Sequence, residues 1–392
     1  MADALLVFNA GSTSLKFAAY RIDASRRLSL DACGSVDAIQ SAPRFAVEDG
    51  EGRALATRDW AAGDPMGHDD ALRHAIGWLQ GHLAGNRIVA AGHRVMLGGL
   101  RFDAPVRIDD EVLAYLDGLS AMEPSHQPVN VRGMRTVAAL MPALAQVACF
   151  DSAFHRTMPE TARTYALPKD VRDAGIRHWG YHGLSYEYIG ECMRAAAPEA
   201  RRVIVAHLGG GSSLCAMLDG QSVETTMGFT GLCGIPMATR SGDVPSGALL
   251  YLLRSRQFDV ASLEKMLYER SGLLGLSGIS GDMRALQDST EPDAIKAVRQ
   301  LVYAATKYVG AFAAVLGGLD ALVFTAGIGE HSHQVRSALC GQLASLGIAL
   351  DEHANLAGMP LISAPGSSVS VRVIATNEAL MIARHTLALI DR

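Results

Sequence analysis

No two of the six cysteines (Cys33, Cys149, Cys192, Cys215, Cys233, Cys340) stand in a Cys-x-x-Cys pair, so the sequence offers neither a zinc knuckle nor a dithiol centre. Thiols scattered in this way are expected to stay reduced, in a cytoplasmic setting. Long apolar runs are also missing. The apolar stretch 310–319 stops at Asp320, and Asp3, Lys16 and Arg21 interrupt any export segment near the start, so neither membrane insertion nor secretion is expected. Neither sign of charge dominates: 35 Lys and Arg face 40 Asp and Glu, interspersed, for a net charge of -5. That balance argues against a nucleic-acid or anionic-membrane partner. Low-complexity linkers are absent too.

What is present is apolar mass, 49% of 392 residues, more than one core holds, since single cores stop growing at about 250–300 residues. Residues 4–20 read as strand, tight turn, strand: an apolar run, the turn Asn9-Ala-Gly-Ser-Thr-Ser14, then a second apolar run. Residues 203–218 repeat the plan around His207-Leu-Gly-Gly-Gly-Ser-Ser213, followed by an Asp219-Gly220 turn and another strand candidate. At one fixed offset Gly11 meets Gly210, Ser14 meets Ser213 and Leu15 meets Leu214, which, if more than chance, implies a duplicated fold. Helices are expected over 69–83, 129–140, 293–316 and 377–390, with strands over 145–150, 321–325 and 369–375. This alternation predicts an α/β protein with mixed sheets. Two domains are expected, 1–150 and 151–378, with the terminal helix 379–392 packing back on the first.

Three glycine turns follow three apolar strands. Residues 9–16 can turn backbone N–H groups toward an anion with Lys16 close by, although the spacing is not that of a P-loop, and a plain hairpin with an exposed lysine reads equally well. His207 to Ser213, with three successive glycines, permits close backbone approach to phosphate but also suits a flexible loop. The stretch Phe324-Thr-Ala-Gly-Ile-Gly-Glu-His331 follows a strand and opens a helix, without the third glycine of a dinucleotide fingerprint. Together they favour nucleotide phosphate binding. Arg94, in Gly-His93-Arg-Val, and Arg240, in Ala-Thr-Arg-Ser-Gly-Asp243, carry planar forks suited to a carboxylate or a phosphoryl group; most arginines merely form surface ion pairs. A lone residue such as Asp151 or His182 is more often structural than catalytic.

In order, these segments resemble the acetate kinase family over residues 5–386. The strongest parts are Asn-Ala-Gly-Ser-Thr-Ser-Leu-Lys16, His93-Arg-Val, Phe150-Asp-Ser-Ala-Phe-His-Arg-Thr-Met-Pro159, Tyr181-His-Gly-Leu-Ser, Thr239-Arg-Ser-Gly-Asp243, residues 324–330 and Thr376-Asn-Glu378. The resemblance implies two domains of a duplicated actin-like, RNase H-like fold with mixed sheets flanked by helices. It also implies phosphoryl transfer between ATP or ADP and a small carboxylic acid, Mg²⁺ with Mn²⁺ as the alternative, and a homodimer.

By the same resemblance, Asn9 and Glu378 hold the metal, and Lys16 with His207, Leu208, Gly209, Gly210 and Gly211 meets the phosphates. Asp282, Met283 and Arg284 bind the nucleotide with Gly327, Ile328, Gly329, Glu330 and His331. Arg94 binds the acid, His182 and Arg240 stabilise the transferring group, and Asp151 is the acid/base residue. Chemistry qualifies that last role: a carboxylate substrate with a pKa of about 4–5 needs no base at neutral pH, so Asp151 is expected to orient a partner. Departures from the family pattern are Gly210 for an asparagine, His331 for an asparagine, and Pro245-Ser246 for Asp-Pro. Met96, Ser125, Tyr181 and Gly231 stand where Val, Leu, Phe and Pro are usual, so acetate leads as the expected acid, with propionate, butyrate or a hydroxylated short-chain acid as the alternatives. A nucleotide-binding scaffold on the same fold is the competing class; it would keep the phosphate loops without the acid site.

Overall fold

The computed structural model describes residues 2–11, 13–61, 63 and 66–390. The chain divides into two compact units. The first ends at Ala153 and takes the chain up again at Asn377; the second is Phe154–Thr376.

The first unit is built on an eight-stranded sheet of order β5-β4-β3-β2-β1-β6-β8-β7, with β1 Asp3–Ala10, β2 Leu15–Ile22, β3 Leu28–Asp37, β4 Arg44–Asp49, β5 Ala54–Asp59, β6 Arg87–Val95, β7 Val106–Arg107 and β8 Ala145–Phe150. Strands β1 to β5 form an antiparallel meander, whereas β1, β6 and β8 run parallel. The hairpin at 4–20 is present as expected. The strands β3 to β5 are not among the expected elements: β5 exposes nearly every side chain and so carries no alternation. Strand β4 does alternate, burying Phe45 and Val47, a signal that local reading could have used. Helices His68–His82 and Gln127–Leu140 match the expected segments to within two residues.

The terminal helix Glu378–Ile390 packs on β1, β6 and β8. Close approach depends on Gly92 in β6, where a Cβ would collide with Ile382 and Thr386 of that helix. This approach brings the helix start, Glu378, to the C-terminal ends of β1 and β6.

The second unit holds a five-stranded sheet of order β11-β10-β9-β12-β13, with β9 Arg202–Leu208, β10 Ser212–Leu218, β11 Gln221–Thr225, β12 Ala321–Thr325 and β13 Ser370–Val373. Strands β9 to β11 are antiparallel, and β9, β12 and β13 are parallel. This is the plan of β3-β2-β1-β6-β8, so the duplication is real at the level of topology. The fixed offset, however, does not survive as register. Ala10 pairs with Leu15 across a four-residue turn, but Leu208 pairs with Ser212 across three. Ser14 and Ser213 therefore occupy different positions in their hairpins.

One face of the second sheet is covered by the helix Pro292–Leu316, which starts on a proline that needs no N–H partner and stops at Gly317 with φ 69°. Its buried stripe, Ala294, Ala297, Leu301, Ala305, Val309 and Phe312, recurs at three- and four-residue steps and joins Ile204, Ala206 and Leu322 in the core. Among the described residues no helix is long and apolar enough to cross a membrane.

Candidate active site

In the first unit the functional side chains gather at the C-terminal ends of the parallel strands. Asn9 and Lys16 are directly opposed on β1 and β2, so both face the same side of the sheet. His93 and Arg94 are neighbours on β6 and point to opposite faces. His93 is buried, which pushes its pKa down to about 4; with the amide of Gln146 turned to suit its neighbours, that group donates to His93 Nε2 at 2.8 Å. Arg94 turns to the other side and is gripped by Asp151, which accepts from Nη2 at 2.5 Å and from Nε at 3.0 Å through one carboxylate oxygen.

Arg94 Nη1 also donates to Asn9 Oδ1 at 3.2 Å, and Asn9 Nδ2 donates to Glu378 Oε2 at 3.1 Å. Burial opposes the Arg94 charge, but the carboxylates of Asp151 and Glu378 outweigh it and raise the guanidinium pKa further. Asp151 is fully buried, an arrangement suited to aiming a guanidinium rather than exchanging protons with a substrate.

The turn after β6, which carries Met96, is clamped. Asn130 accepts from Met96 N–H at 3.1 Å and donates to the Ala10 carbonyl at 2.9 Å, while Gln127 donates to the Leu97 carbonyl at 3.1 Å. Ser152 Oγ accepts from Gly98 N–H at 3.1 Å. Met96 is buried with its sulfur 3.6 Å from Arg94 Nη2. Ser125 is half-buried. Asn130 and Gln127 were missed because, read locally, they are ordinary polar positions of an amphipathic helix.

The second unit gathers the other set around the β9–β10 turn. Gly211 is the meeting point: a Cβ there would lie 2.9 Å from Arg240 Nη2 and 3.4 Å from His182 Nε2. The Arg240 turn is locked by backbone bonds. Met237 N–H donates to the Arg240 carbonyl at 3.0 Å, Ala238 N–H to the Gly210 carbonyl at 3.1 Å, and Leu273 N–H to the Met237 carbonyl at 2.8 Å. Arg240 Nη1 also donates to the Gly231 carbonyl at 2.6 Å.

His182 stands in the left-handed region, φ 58°, at the start of the helix Gly183–Ala196. Its stem is fixed by His155, whose ring contacts the Tyr181 carbonyl at 2.9 Å and Ser222 Oγ at 2.8 Å. Burial pushes the His155 pKa down to about 3, so this ring is a neutral prop. His182 stacks on His207, centroids 4.1 Å apart, and His207 Nδ1 lies 2.9 Å from Ser185 Oγ, which bonds Thr376 Oγ1 at 2.8 Å. Tyr181 is fully buried, its hydroxyl donating to the Phe229 carbonyl at 2.7 Å.

Leu208 and Met283 place their side chains in the core, which leaves only their backbones for a ligand. Gly209 lies close to the turn after β12, 3.5 Å from Ala326 Cβ measured from a Cβ built on the glycine, so these two loops adjoin. Gly210 has open space where a Cβ would stand. Gly327 and His331 are exposed, Ile328 is half-buried and Gly329 is buried. Glu330 turns inward: Oε1 accepts from Ala326 N–H at 2.8 Å and Thr376 N–H at 3.3 Å, tying the β12 turn to the segment after β13. Asp282 caps its own short helix by accepting from Arg284 N–H at 3.0 Å, and the Arg284 side chain is 90% exposed.

Asn9, Lys16, Arg94, Asp151 and Glu378 thus form one set, and His182, Arg240, the turn at 207–211 and the starts of the short helices Met283–Gln287 and Ala326–His331 form another. The metal implied by the resemblance has a fitting donor set in Asn9 Oδ1 and the Glu378 carboxylate, both hard oxygens. No group of three His, Cys, Asp or Glu side chains suited to a metal occurs among the described residues. A cation held here would therefore keep waters or substrate oxygens, as Mg²⁺ does in phosphate sites.

Comparison with known proteins shows the family. Residues 4–384 match the model of the acetokinase family. An acetate kinase of Rhodopseudomonas palustris (strain TIE-1) is 46% identical, with 100% of this chain and 99% of that protein covered, and one of Rhizobium meliloti is 44% identical, with 99% of each covered. Among solved structures, a propionate kinase from Francisella tularensis is 33% identical with a TM-score of 0.89, covering 98% of this chain and 99% of that one. The acetate kinase of Porphyromonas gingivalis is 32% identical with a TM-score of 0.86, covering 99% and 100%. On these matches, and with the actin-like duplicated scaffold described above, the chain belongs to the acetokinase family and is an enzyme of the acetate kinase type.

Proposed function

We propose that this enzyme transfers the γ-phosphoryl group of ATP to the carboxylate of acetate, reversibly, giving acetyl phosphate and ADP, in the cytoplasm. The observation that carries this reading is the convergence of Arg240 and His182 on Gly211 of the phosphate loop. Phosphoryl transfer needs little covalent help, so catalysis consists of alignment and charge neutralisation.

Arg94, steadied by Asp151, holds the acid carboxylate; the acid is already deprotonated, so no base is required. The amides of the 209–211 turn and Lys16 meet the phosphates, and Arg240 with His182 neutralises the equatorial oxygens of the transferring group. Asn9 and Glu378 would hold Mg²⁺, which when bound supplies charge to the phosphate oxygens; Mn²⁺ is the alternative.

A hydroxamate assay with ATP and a panel of acids tests the reading. Met96, packed on Arg94, shortens the acid pocket, so acetate is expected to lead, propionate to be poorer and butyrate to be refused. Each methylene is worth roughly 10–200-fold in kcat/KM, and Met96→Ala is expected to improve the longer acids. The likeness to a solved propionate kinase supports a second reading, in which propionate leads; that ranking would overturn the pocket argument. No phosphoryl transfer to any acid would favour the scaffold class instead.

Assembly as a homodimer belongs to the same proposal. The helix Ser246–Arg254 buries none of its residues although it reads Ala-Leu-Leu-Tyr-Leu-Leu, with Leu250 49% and Tyr251 64% exposed. An apolar surface of this kind suits a second copy. Light scattering is expected to give twice the 41.5 kDa chain mass, and Leu250→Glu with Tyr251→Glu is expected to give the monomer. A monomer in the unmutated protein would remove this part.

A further inference from the structure

His182 ends a chain of two hydroxyls that the reaction itself does not require. Its Nδ1 lies 2.8 Å from Ser213 Oγ, and Ser213 Oγ lies 2.5 Å from the hydroxyl of Tyr186. Ser213 and Tyr186 are fully buried. Nε2, the other ring nitrogen, faces Gly211 together with Arg240 Nη2.

We propose that Tyr186 and Ser213 are positioning residues that hold His182 in the tautomer with its proton on Nε2, aimed at the transferring phosphoryl group. The inference rests on the kinase reading above and deepens it.

The direction of the chain follows from donor strength. A phenol, with a pKa of about 10, is a better donor than an alkyl hydroxyl, so Tyr186 donates to Ser213 Oγ. The single serine proton is then directed at Nδ1, which must accept it. That leaves the ring proton on Nε2. The Arg240 guanidinium, which shares the space at Gly211 with the Nε2 edge, favours a neutral ring, since it disfavours a second positive charge there.

The opposite chain, with Nδ1–H donating to Ser213, would leave an Nε2 lone pair beside an arginine donor. The two groups would then pair with each other instead of donating jointly to a phosphoryl oxygen. Of the two neutral tautomers, only the Nε2–H form makes His182 and Arg240 co-donors at one position.

The test is a long-range ¹H–¹⁵N correlation spectrum of the full-length protein labelled at histidine, with His182→Gln identifying the resonances. The free, unmutated protein is expected to show His182 as the Nε2–H form. Tyr186→Phe is expected to give mixed tautomers and to lower kcat by about ten- to a hundredfold, while KM for acid and ATP moves by no more than about twofold. A purely structural role would not move the tautomer.

An Nδ1–H tautomer in the unmutated protein overturns the proposal, and so does an unchanged kcat with the tautomer retained in Tyr186→Phe. Should that variant fail to fold, the unmutated spectrum alone still decides. Failure of the kinase reading would appear in the hydroxamate assay and leave this spectrum unaffected.

Discussion

Arg94→Ala is expected to lower acid kinase activity by roughly a hundred- to a thousandfold while leaving the affinity for a non-hydrolysable ATP analogue within a few fold. The magnitude is that of removing one preorganised charged donor from a reacting group. Nucleotide affinity is spared because the turn at 207–211 and the short helix Ala326–His331 are built and braced within the other unit, by contacts that do not involve Arg94.

A second effect accompanies the first. Asp151 is fully buried and spends one oxygen on two Arg94 donors, so truncating the arginine takes a paired cation away from a buried carboxylate. Breaking a buried pair from one side costs about 3–5 kcal/mol. The double variant Arg94→Ala with Asp151→Ala is therefore expected to recover much of the stability but none of the activity. Calorimetric titration and urea unfolding separate the two effects. Loss of ATP affinity in a folded Arg94→Ala protein would contradict the acid-binding assignment.

Gly211→Ala is the second large effect. Its new methyl carbon would stand 2.9 Å from Arg240 Nη2 and 3.4 Å from His182 Nε2. The first contact is closer than a real Cβ allows, and the flexible end of the arginine must give way. The fold should tolerate this, because the collision involves a side-chain tip and not the backbone. Catalysis should not, since a shift of about 1 Å in a positioning group can cost on the order of a hundredfold in rate. At Gly210 a Cβ meets nothing within 4 Å, so Gly210→Ala serves as the control, with kcat expected to change far less. Equal losses in the two variants would show that the turn acts through its flexibility and not through the space at Gly211.

Much of the architecture was legible because it is locally encoded. The hairpins around residues 9–16 and 207–213 announce themselves by apolar runs broken by small polar residues. The helix Pro292–Leu316 announces itself by its stripe, its proline and its glycine stop. Failures fell where local pattern and tertiary role diverge. Strand β5 has no apolar alternation because it lies at the sheet edge with most of its side chains exposed. The brace that Glu330 makes to two backbone N–H groups is likewise visible only once residues 326 and 376 are neighbours.

The sequence by itself determined the class of chemistry: turns of small residues after buried strands can cradle phosphate, and the joint order of the motifs names the family. Tertiary structure alone decided which groups meet. Asn9 and Glu378 touch although 369 residues separate them, and they do so because Gly92 lets the terminal helix settle onto β6. His182 and Arg240 share one position because Gly211 has no side chain. Periodicity and turn chemistry are properties of neighbours along the chain, whereas these meetings depend on sheet order and on the absence of a Cβ at one point, and neither leaves a mark in the local pattern.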